Sequence, residues 1–195
     1  MPGTLNYFDV QARQYPGGDH VDRVRQQWAA ELPELDTTPL AVVARIGRAR
    51  NYLDQGMDRL FEHYGLTRQS WDVLACLRRA GPPYRLTPTD LTSAVMRTSG
   101  TITHTLHRLE YAGLISRTSS DDDGRSVPVV LTTAGVELVE TVAARHMDNE
   151  RELLSPLDAD EQATLAALLR KLLVGMESSP PLTRSGRTDR TVGWT

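Results

Sequence analysis

The segment 87–131, TPTDLTSAVMRTSGTITHTLHRLEYAGLISRTSSDDDGRSVPVVL, contains the signals that decide the fold. Thr87-Pro88 is typical of a helix N-terminus, because threonine can cap the first turn and proline suits the first helical position. Asp90 adds a carboxylate where the helix dipole favours one. The segment therefore predicts a short helix over 88–96 and a second helix over 98–112, joined by a tight turn.

The end of the same segment predicts a β-hairpin. Residues 114–118 predict one strand, and Val127, Val129 and Leu131 alternate as expected for a returning strand. Pro128 cannot donate a hydrogen bond to a sheet, so we expect the returning strand to lie at an exposed edge. Two closely spaced helices followed by a hairpin form a winged helix-turn-helix. The predicted fold class is therefore mainly α with a small β-wing.

The helix over 98–112 has one apolar and one polar face. With Ile102, Leu106 and Leu109 facing inward, no acidic residue faces outward before Glu110. A solvated helix face is the alternative, but such a face usually carries Glu and Lys pairs. Hydroxyl, imidazole and guanidinium groups can instead bind phosphates and base edges, so we predict that this helix reads the major groove of DNA. The candidate contacts are Thr98, Ser99, Gly100, Thr101, Thr103, His104, His107 and Arg108.

The predicted wing tip is acidic but contains one arginine. Asp121, Asp122 and Asp123 are followed by Gly124 and Arg125. An aspartate two residues before an arginine can brace the guanidinium, and a braced arginine is suited to a narrow minor groove. Asp123 and Arg125 are therefore candidate DNA contacts, with a plain acidic turn as the alternative.

The rest of the chain predicts helices between irregular ends. Asp19 and Thr38 are the expected N-caps of the first two helices. The last helix carries a leucine stripe over 165–176 with more apolar face than a small domain needs. The predicted regions are an irregular N-terminal arm at 1–18, N-terminal helices at 19–65, the winged domain at 66–132, C-terminal helices at 133–177 and a disordered tail at 178–195.

Composition excludes several classes of protein. The chain has 195 residues, 39% of them hydrophobic, with a net charge of −3, so any nucleic-acid binding must come from a local surface. No apolar run approaches the roughly 18 residues of a membrane span. A single cysteine, Cys76, excludes an intrachain disulfide and a multi-cysteine zinc site. These features predict a cytoplasmic protein with no membrane partner.

The segment resembles the winged-helix core of the MarR (multiple-antibiotic-resistance regulator) family of bacterial transcription factors. The resemblance extends over about 38–177, and it implies a homodimer formed by the first and last helices. It also implies a regulator, in most cases a repressor, that binds a pseudo-palindromic duplex. The matching residues are Leu91, the runs 99–104, 108–110 and 113–115, Arg117, the wing residues 123–126 and the run 131–135.

A narrower resemblance links the chain to the branch of this family that responds to urate and other small organic anions. That branch has an extra N-terminal helix with a tryptophan, and Trp28, Asp72 and Arg117 match three of its ligand positions. Thr105 stands where the branch usually has an arginine, so the chain departs from the urate pattern. We expect Arg117 to pair with Asp72 in the free protein, and an incoming anion to compete for Arg117 and to repel Asp72. As alternatives, Trp28 could be a core residue, Asp72 a solvated residue and Arg117 a phosphate contact.

Two other functions remain as alternatives. Cys76 has Arg78 and Arg79 nearby and could be a redox sensor, although a buried cysteine with a packing role is more common. His104 and His107 could seed the metal site of an enzyme, but a metal needs three or four ligands and no further Cys or His pair lies near in sequence. We therefore predict no cofactor, no metal and no catalytic residues.

Overall fold

A computed structural model describes residues 18–95, 102–117 and 127–178. The fold over these residues is mainly α with a small β-sheet, as predicted. In chain order the elements are α1 (His20–Glu31), α2 (Thr38–His63), α3 (Arg68–Arg79), β1 (Arg85–Leu86), α4 (Pro88–Ala94), α5 (Ile102–Tyr111), β2 (Ile115–Arg117), β3 (Val129–Leu131), α6 (Thr133–Leu153) and α7 (Ala159–Glu177).

Most of the predicted helix starts are confirmed by side-chain caps. Asp19, Thr87 and Asp158 each accept a hydrogen bond from a backbone N–H in the first turn of α1, α4 and α7, and each forms a reciprocal capping box. The expected cap of α2 is wrong by one residue. Thr37 occupies the cap position without a side-chain bond, and Thr38 is the first helical residue, with its backbone N–H donating to Asp36 at 2.9 Å.

The three strands form an antiparallel sheet in the order β1-β3-β2. The expectation that the returning strand lies at an edge is wrong, because β3 pairs with both neighbours. Arg85 lies opposite Val130 in β1, and Arg117 lies opposite Val129 in β2. Pro128 precedes β3 and so does not interrupt either ladder. Strand β1 closes the outer side of the hairpin and fixes it to the segment that leads into α4.

One buried core joins helices α2 to α6 to the sheet. Helix α3 lies at its centre, with Leu74 and Leu77 fully buried, and Leu91 enters the core from α4. The core packs closely around Gly135 in α6, where a Cβ atom would lie only 2.1 Å from the backbone oxygen of Leu114. This close approach fixes the start of α6 against the turn between α5 and β2.

Ion pairs attach α1 to α2. The guanidinium of Arg45 in α2 donates to Asp19 at 2.8 Å and to Asp22 at 2.7 Å. The hydrogen bond from Arg45, together with one from the backbone of Asp19, holds the pKa of Asp22 below its ordinary value. The same carboxylate pair thus caps α1 and ties it to its neighbour.

The described residues up to Glu150 form one compact unit, and those from Arg151 onward form a second. The second unit contains the end of α6 and all of α7. Gln162 in α7 donates to the backbone oxygens of Leu154 and Leu157 and so fixes the turn before the helix. None of the described helices is long and apolar enough to cross a membrane.

Candidate nucleic-acid interface

Helix α5 presents the polar face that the sequence predicted. Leu106 and Leu109 are buried against α3 and the sheet, and this contact fixes the rotation of the helix. The opposite side exposes hydroxyl, imidazole, guanidinium and phenol groups to solvent. Tyr111 at its end is 97% exposed. The exposed residues of this face within the described part of α5 are Thr103, His104, His107, Arg108 and Tyr111.

The other predicted DNA contacts lie outside the described residues. They are Thr98, Ser99, Gly100 and Thr101 before α5, and Asp123 and Arg125 in the wing tip. Their roles stay predictions.

Thr105 lies at the position where the urate pattern has an arginine. Its side chain is buried beside Leu106 and Leu109 rather than presented on the exposed face. An arginine there would have to place its charge in the core or displace α5, and an unpaired buried charge is costly. The residue that departs from the urate pattern is therefore one that packs α5 against the core.

Arg117 in β2 is held by two residues of α5. Its Nη2 atom donates to the Glu110 carboxylate at 2.8 Å and lies 3.0 Å from Nδ1 of His107. Its Nε atom is buried and has no hydrogen-bond partner among the described residues. Glu110 and His107 are thus the two groups that face Nη2 of Arg117, and the pair expected between Arg117 and Asp72 stays a prediction.

An open groove of about 700 Å³ lies along α5, next to the turn between α2 and α3. Its floor is apolar, and its rim carries the imidazoles and the guanidinium of the exposed face together with the carboxylate of Glu110. The lining residues are Gly65, Leu66, Ser70, His104, His107, Arg108, Leu109, Glu110, Tyr111, Ala112 and Leu114.

A second cavity, of about 340 Å³, lies between α3 and α6 and contains Asp72. Arg79 and His146 also line it, so a carboxylate, a guanidinium and an imidazole share this space. Trp28, which is 43% exposed on α1, lines neither this cavity nor the groove, and Arg117 lines neither as well. The structure therefore does not bring Trp28, Asp72 and Arg117 together in either cavity.

Cys76 lines the second cavity but is buried. Its thiol donates to the backbone oxygen of Ala94 at 3.3 Å, and Nη2 of Arg79 lies 3.1 Å from the sulfur. Across the described ranges, no group of three or more His, Cys, Asp or Glu side chains could hold a metal ion. The pair His104 and His107 thus lacks further protein ligands in this part of the chain.

Sequence reasoning missed the role of Glu110. The sequence places it at the end of the acid-free face and in the matching run 108–110, whereas the structure makes it the carboxylate partner of Arg117. Its spacing of three residues from His107 was the available signal, because residues three apart are neighbours on a helix. The spacing of residues along the sequence does not predict where β2 lies relative to α5.

Comparison with known proteins gives consistent results. The model of the MarR family matches residues 66–127. The HTH-type transcriptional regulator PecS of Dickeya dadantii is 38% identical over 152 residues, which cover 78% of this chain and 92% of PecS. The multiple antibiotic resistance protein MarR of Escherichia coli is 34% identical over 133 residues, covering 66% of this chain and 90% of MarR.

Solved structures of DNA complexes share the fold. Sco3205, a MarR family regulator from Streptomyces coelicolor in complex with DNA, has a TM-score of 0.64 and 25% identity, covering 74% of this chain and 91% of its own. A mutant MarR from Escherichia coli complexed with operator DNA has a TM-score of 0.60 and 29% identity, covering 72% of this chain and 99% of its own. The relatives are named as transcriptional regulators, which agrees with the predicted class and not with an enzyme.

Proposed function

Because the chain belongs to the MarR family of DNA-binding transcriptional regulators, we propose that it is a repressor that binds a pseudo-palindromic operator as a homodimer. A small organic anion releases it from that operator. In this proposal α5 is the recognition helix, and residues of the wing tip contact the minor groove.

The exposed face of α5 carries the DNA-binding part of the proposal. His104, His107 and Arg108 point away from the core, and every group on the face before Glu110 is neutral or basic. An α-helix fits the major groove, where guanidinium and imidazole groups can donate to guanine and to phosphates. Arg108, close to the end of α5, is suited to either contact.

An alanine substitution at Arg108 tests this interface. Operator DNA is first selected from a random pool with the wild-type protein, and binding is then followed by fluorescence anisotropy. Arg108→Ala should weaken binding by about 1–3 kcal/mol. The matched control is Arg145→Ala, which removes an exposed arginine from α6, a helix with no candidate DNA contact. Equal affinities for the two variants would contradict the role given to α5.

Exposed apolar side chains support a homodimer. Helix α2 exposes Val42, Val43 and Ile46, and α7 separately exposes a stripe that includes Leu168 and Leu172. Apolar stripes of this kind on amphipathic helices are usually covered by a partner. A second copy of the chain would cover them, which gives the two-fold symmetry that a pseudo-palindromic operator requires.

The anion part of the proposal rests on Arg117. An anion that reached this guanidinium would compete with Glu110 and so weaken the ion pair that orients β2 relative to α5. Asp72 and Trp28 remain the other proposed contacts, with Asp72 close to Arg79 and His146 in the second cavity. A coupling of about 1–3 kcal/mol would loosen the DNA complex some 5- to 150-fold.

Titration of the protein–DNA complex with urate, citrate, aconitate and aromatic carboxylates tests the anion site. Release of wild-type protein but not of Arg117→Ala is expected. Asp72→Asn, which keeps the shape of the side chain and removes its charge, should change the anion concentration needed for release. Equal release of wild type and Arg117→Ala, or no release with any anion, would remove Arg117 from the site.

A further inference from the structure

The contacts of Arg117 depend on the protonation of His107. Nη2 of a guanidinium carries two protons, and in this structure it faces two groups, the Glu110 carboxylate at 2.8 Å and Nδ1 of His107 at 3.0 Å. Nη2 can therefore donate one hydrogen bond to each of these two acceptors. A histidine nitrogen accepts a hydrogen bond only when it carries no proton. The contact between Arg117 and His107 thus requires a neutral imidazole with its proton on Nε2.

We infer that His107 is a positioning residue for Arg117, and that protonation of His107 releases this hold and turns its side chain into a phosphate contact. The inference rests on the proposed role of α5 in DNA binding. In the neutral state the imidazole helps Glu110 to keep β2 on α5. In the protonated state Nδ1 becomes a donor, two positive charges face each other, and the exposed imidazolium is free to turn toward DNA.

Among the described residues that line the groove beside His107, none except Glu110 carries a carboxylate that could accept its proton. Gly65 and Leu66 in the turn between α2 and α3, and Ser70 in α3, line the groove beside it and are not ionisable. On β2 the ionisable residue is Arg117, and on α5 the neighbours are His104, Arg108, Glu110 and the phenol of Tyr111. Among these groups Glu110 is the one carboxylate, and it is already paired with Arg117.

Protonation therefore raises the charge of the cluster formed by His107, Glu110 and Arg117 by one unit. The added charge lies on the exposed face proposed to meet DNA. One further neutralised phosphate increases the slope of log K against log salt by about one. Because acid favours the protonated imidazole, operator binding should tighten as the pH is lowered.

Two substitutions at position 107 reproduce the two states. His107→Asn places an amide oxygen where Nδ1 lies, so Arg117 keeps its acceptor at every pH. His107→Arg carries a permanent charge and offers no acceptor. His104→Asn is the matched control, because it removes an exposed imidazole one turn earlier that is not bonded to Arg117.

Operator affinity is measured at pH 6 and pH 8 at constant ionic strength. Wild type should bind at least about threefold more tightly at pH 6 than at pH 8, as expected when binding takes up a fraction of a proton. His107→Asn should bind the operator like wild type at pH 8, and its affinity should change little between pH 8 and pH 6. His107→Arg should bind tightly at both pH values, and His104→Asn should retain a pH-dependent difference. An unchanged pH dependence in His107→Asn would overturn the inference.

A second readout does not need DNA. The Nε–Hε resonance of Arg117 in the free protein should shift between pH 8 and pH 6 in wild type and stay in place in His107→Asn. Equal shifts in the two proteins would overturn the inference, even if DNA binding varied with pH. If no duplex is bound at either pH, the proposed function fails, and the resonance alone still decides whether His107 holds Arg117. Far-UV circular dichroism of each variant checks that it is folded.

Discussion

The carboxylate of Glu110 in the last turn of α5 lies 2.8 Å from Nη2 of Arg117 in β2. This ion pair joins the end of the proposed recognition helix to the strand that leads into the wing. The side chains are 23% exposed for Arg117 and 38% exposed for Glu110, so water screens the pair in part. Its contribution lies in orientation more than in stability.

Replacing Glu110 should therefore cost little free energy of unfolding. We expect Glu110→Ala to lower stability by about 1 kcal/mol or less, as for other partly exposed ion pairs. Leu109→Ala, one residue earlier, is the control, and it should cost about 2–5 kcal/mol because it leaves a cavity in the core. Urea denaturation of both variants measures these costs, and similar costs would show that the pair is structural.

Gly135 should not tolerate a side chain. A Cβ atom at this position would meet the backbone oxygen of Leu114 at 2.1 Å, so α6 would have to move. We expect Gly135→Ala to destabilise the protein by about 1–3 kcal/mol or more. Gly47→Ala is the matched control, because no atom lies within 4 Å of its Cβ position in α2 and alanine favours a helix. In thermal unfolding, the melting temperature of Gly135→Ala should lie well below that of wild type. The melting temperature of Gly47→Ala should equal or exceed that of wild type.

Acid should weaken the attachment of α1. Since Arg45 and the backbone of Asp19 hold the pKa of Asp22 below its ordinary value of 3.8, the attachment is fully present above that value. It is lost as the pH falls through the lower pKa of the folded state. Hydrogen-exchange protection of α1 should therefore drop on acidification from pH 6 to about pH 3. In Arg45→Gln, protection should already be lower at pH 6 and fall less. A fall in that variant equal to that of wild type would remove Arg45 as the cause.

The wing residues give a prediction about whether a substitution weakens or tightens operator binding. Arg125→Ala should weaken operator binding by about 1–3 kcal/mol through loss of a minor-groove contact. Asp123→Ala should also weaken it, although the substitution removes a negative charge, because the arginine loses its brace. Asp122→Ala is the control for charge alone. Tighter binding by Asp123→Ala would show that the acidic tip is simply repelled by phosphates.

The helices and their inward faces could be predicted from the sequence because the signals are local. Thr87 and Asp158 are capping residues with partners three positions later, and Leu106 and Leu109 repeat with the helical period. These signals act within one or two turns. The helices that these signals predict therefore do not depend on how distant segments of the chain pack.

The hairpin of β2 and β3 was predicted, but strand β1 and the ion pairs were not, because they depend on contacts that the sequence pattern does not specify. Strand β1 has two residues, and it is a strand only because Arg85 and Leu86 meet β3 more than 40 residues later. The same pairing moves β3 from the edge to the centre of the sheet. Arg117 likewise acquired Glu110 as its partner through the packing of β2 on α5, which no spacing in the sequence specifies.

Hydroxyl-radical footprinting of the wild-type protein on its selected operator tests the central claim most directly. A homodimer that inserts two copies of α5 into successive major grooves should protect two symmetry-related half-sites with centres about 10 bp apart. Analytical ultracentrifugation of the same complex should give two protomers per duplex. A single asymmetric protected half-site bound by one protomer would contradict the account of this chain as a dimeric operator-binding regulator.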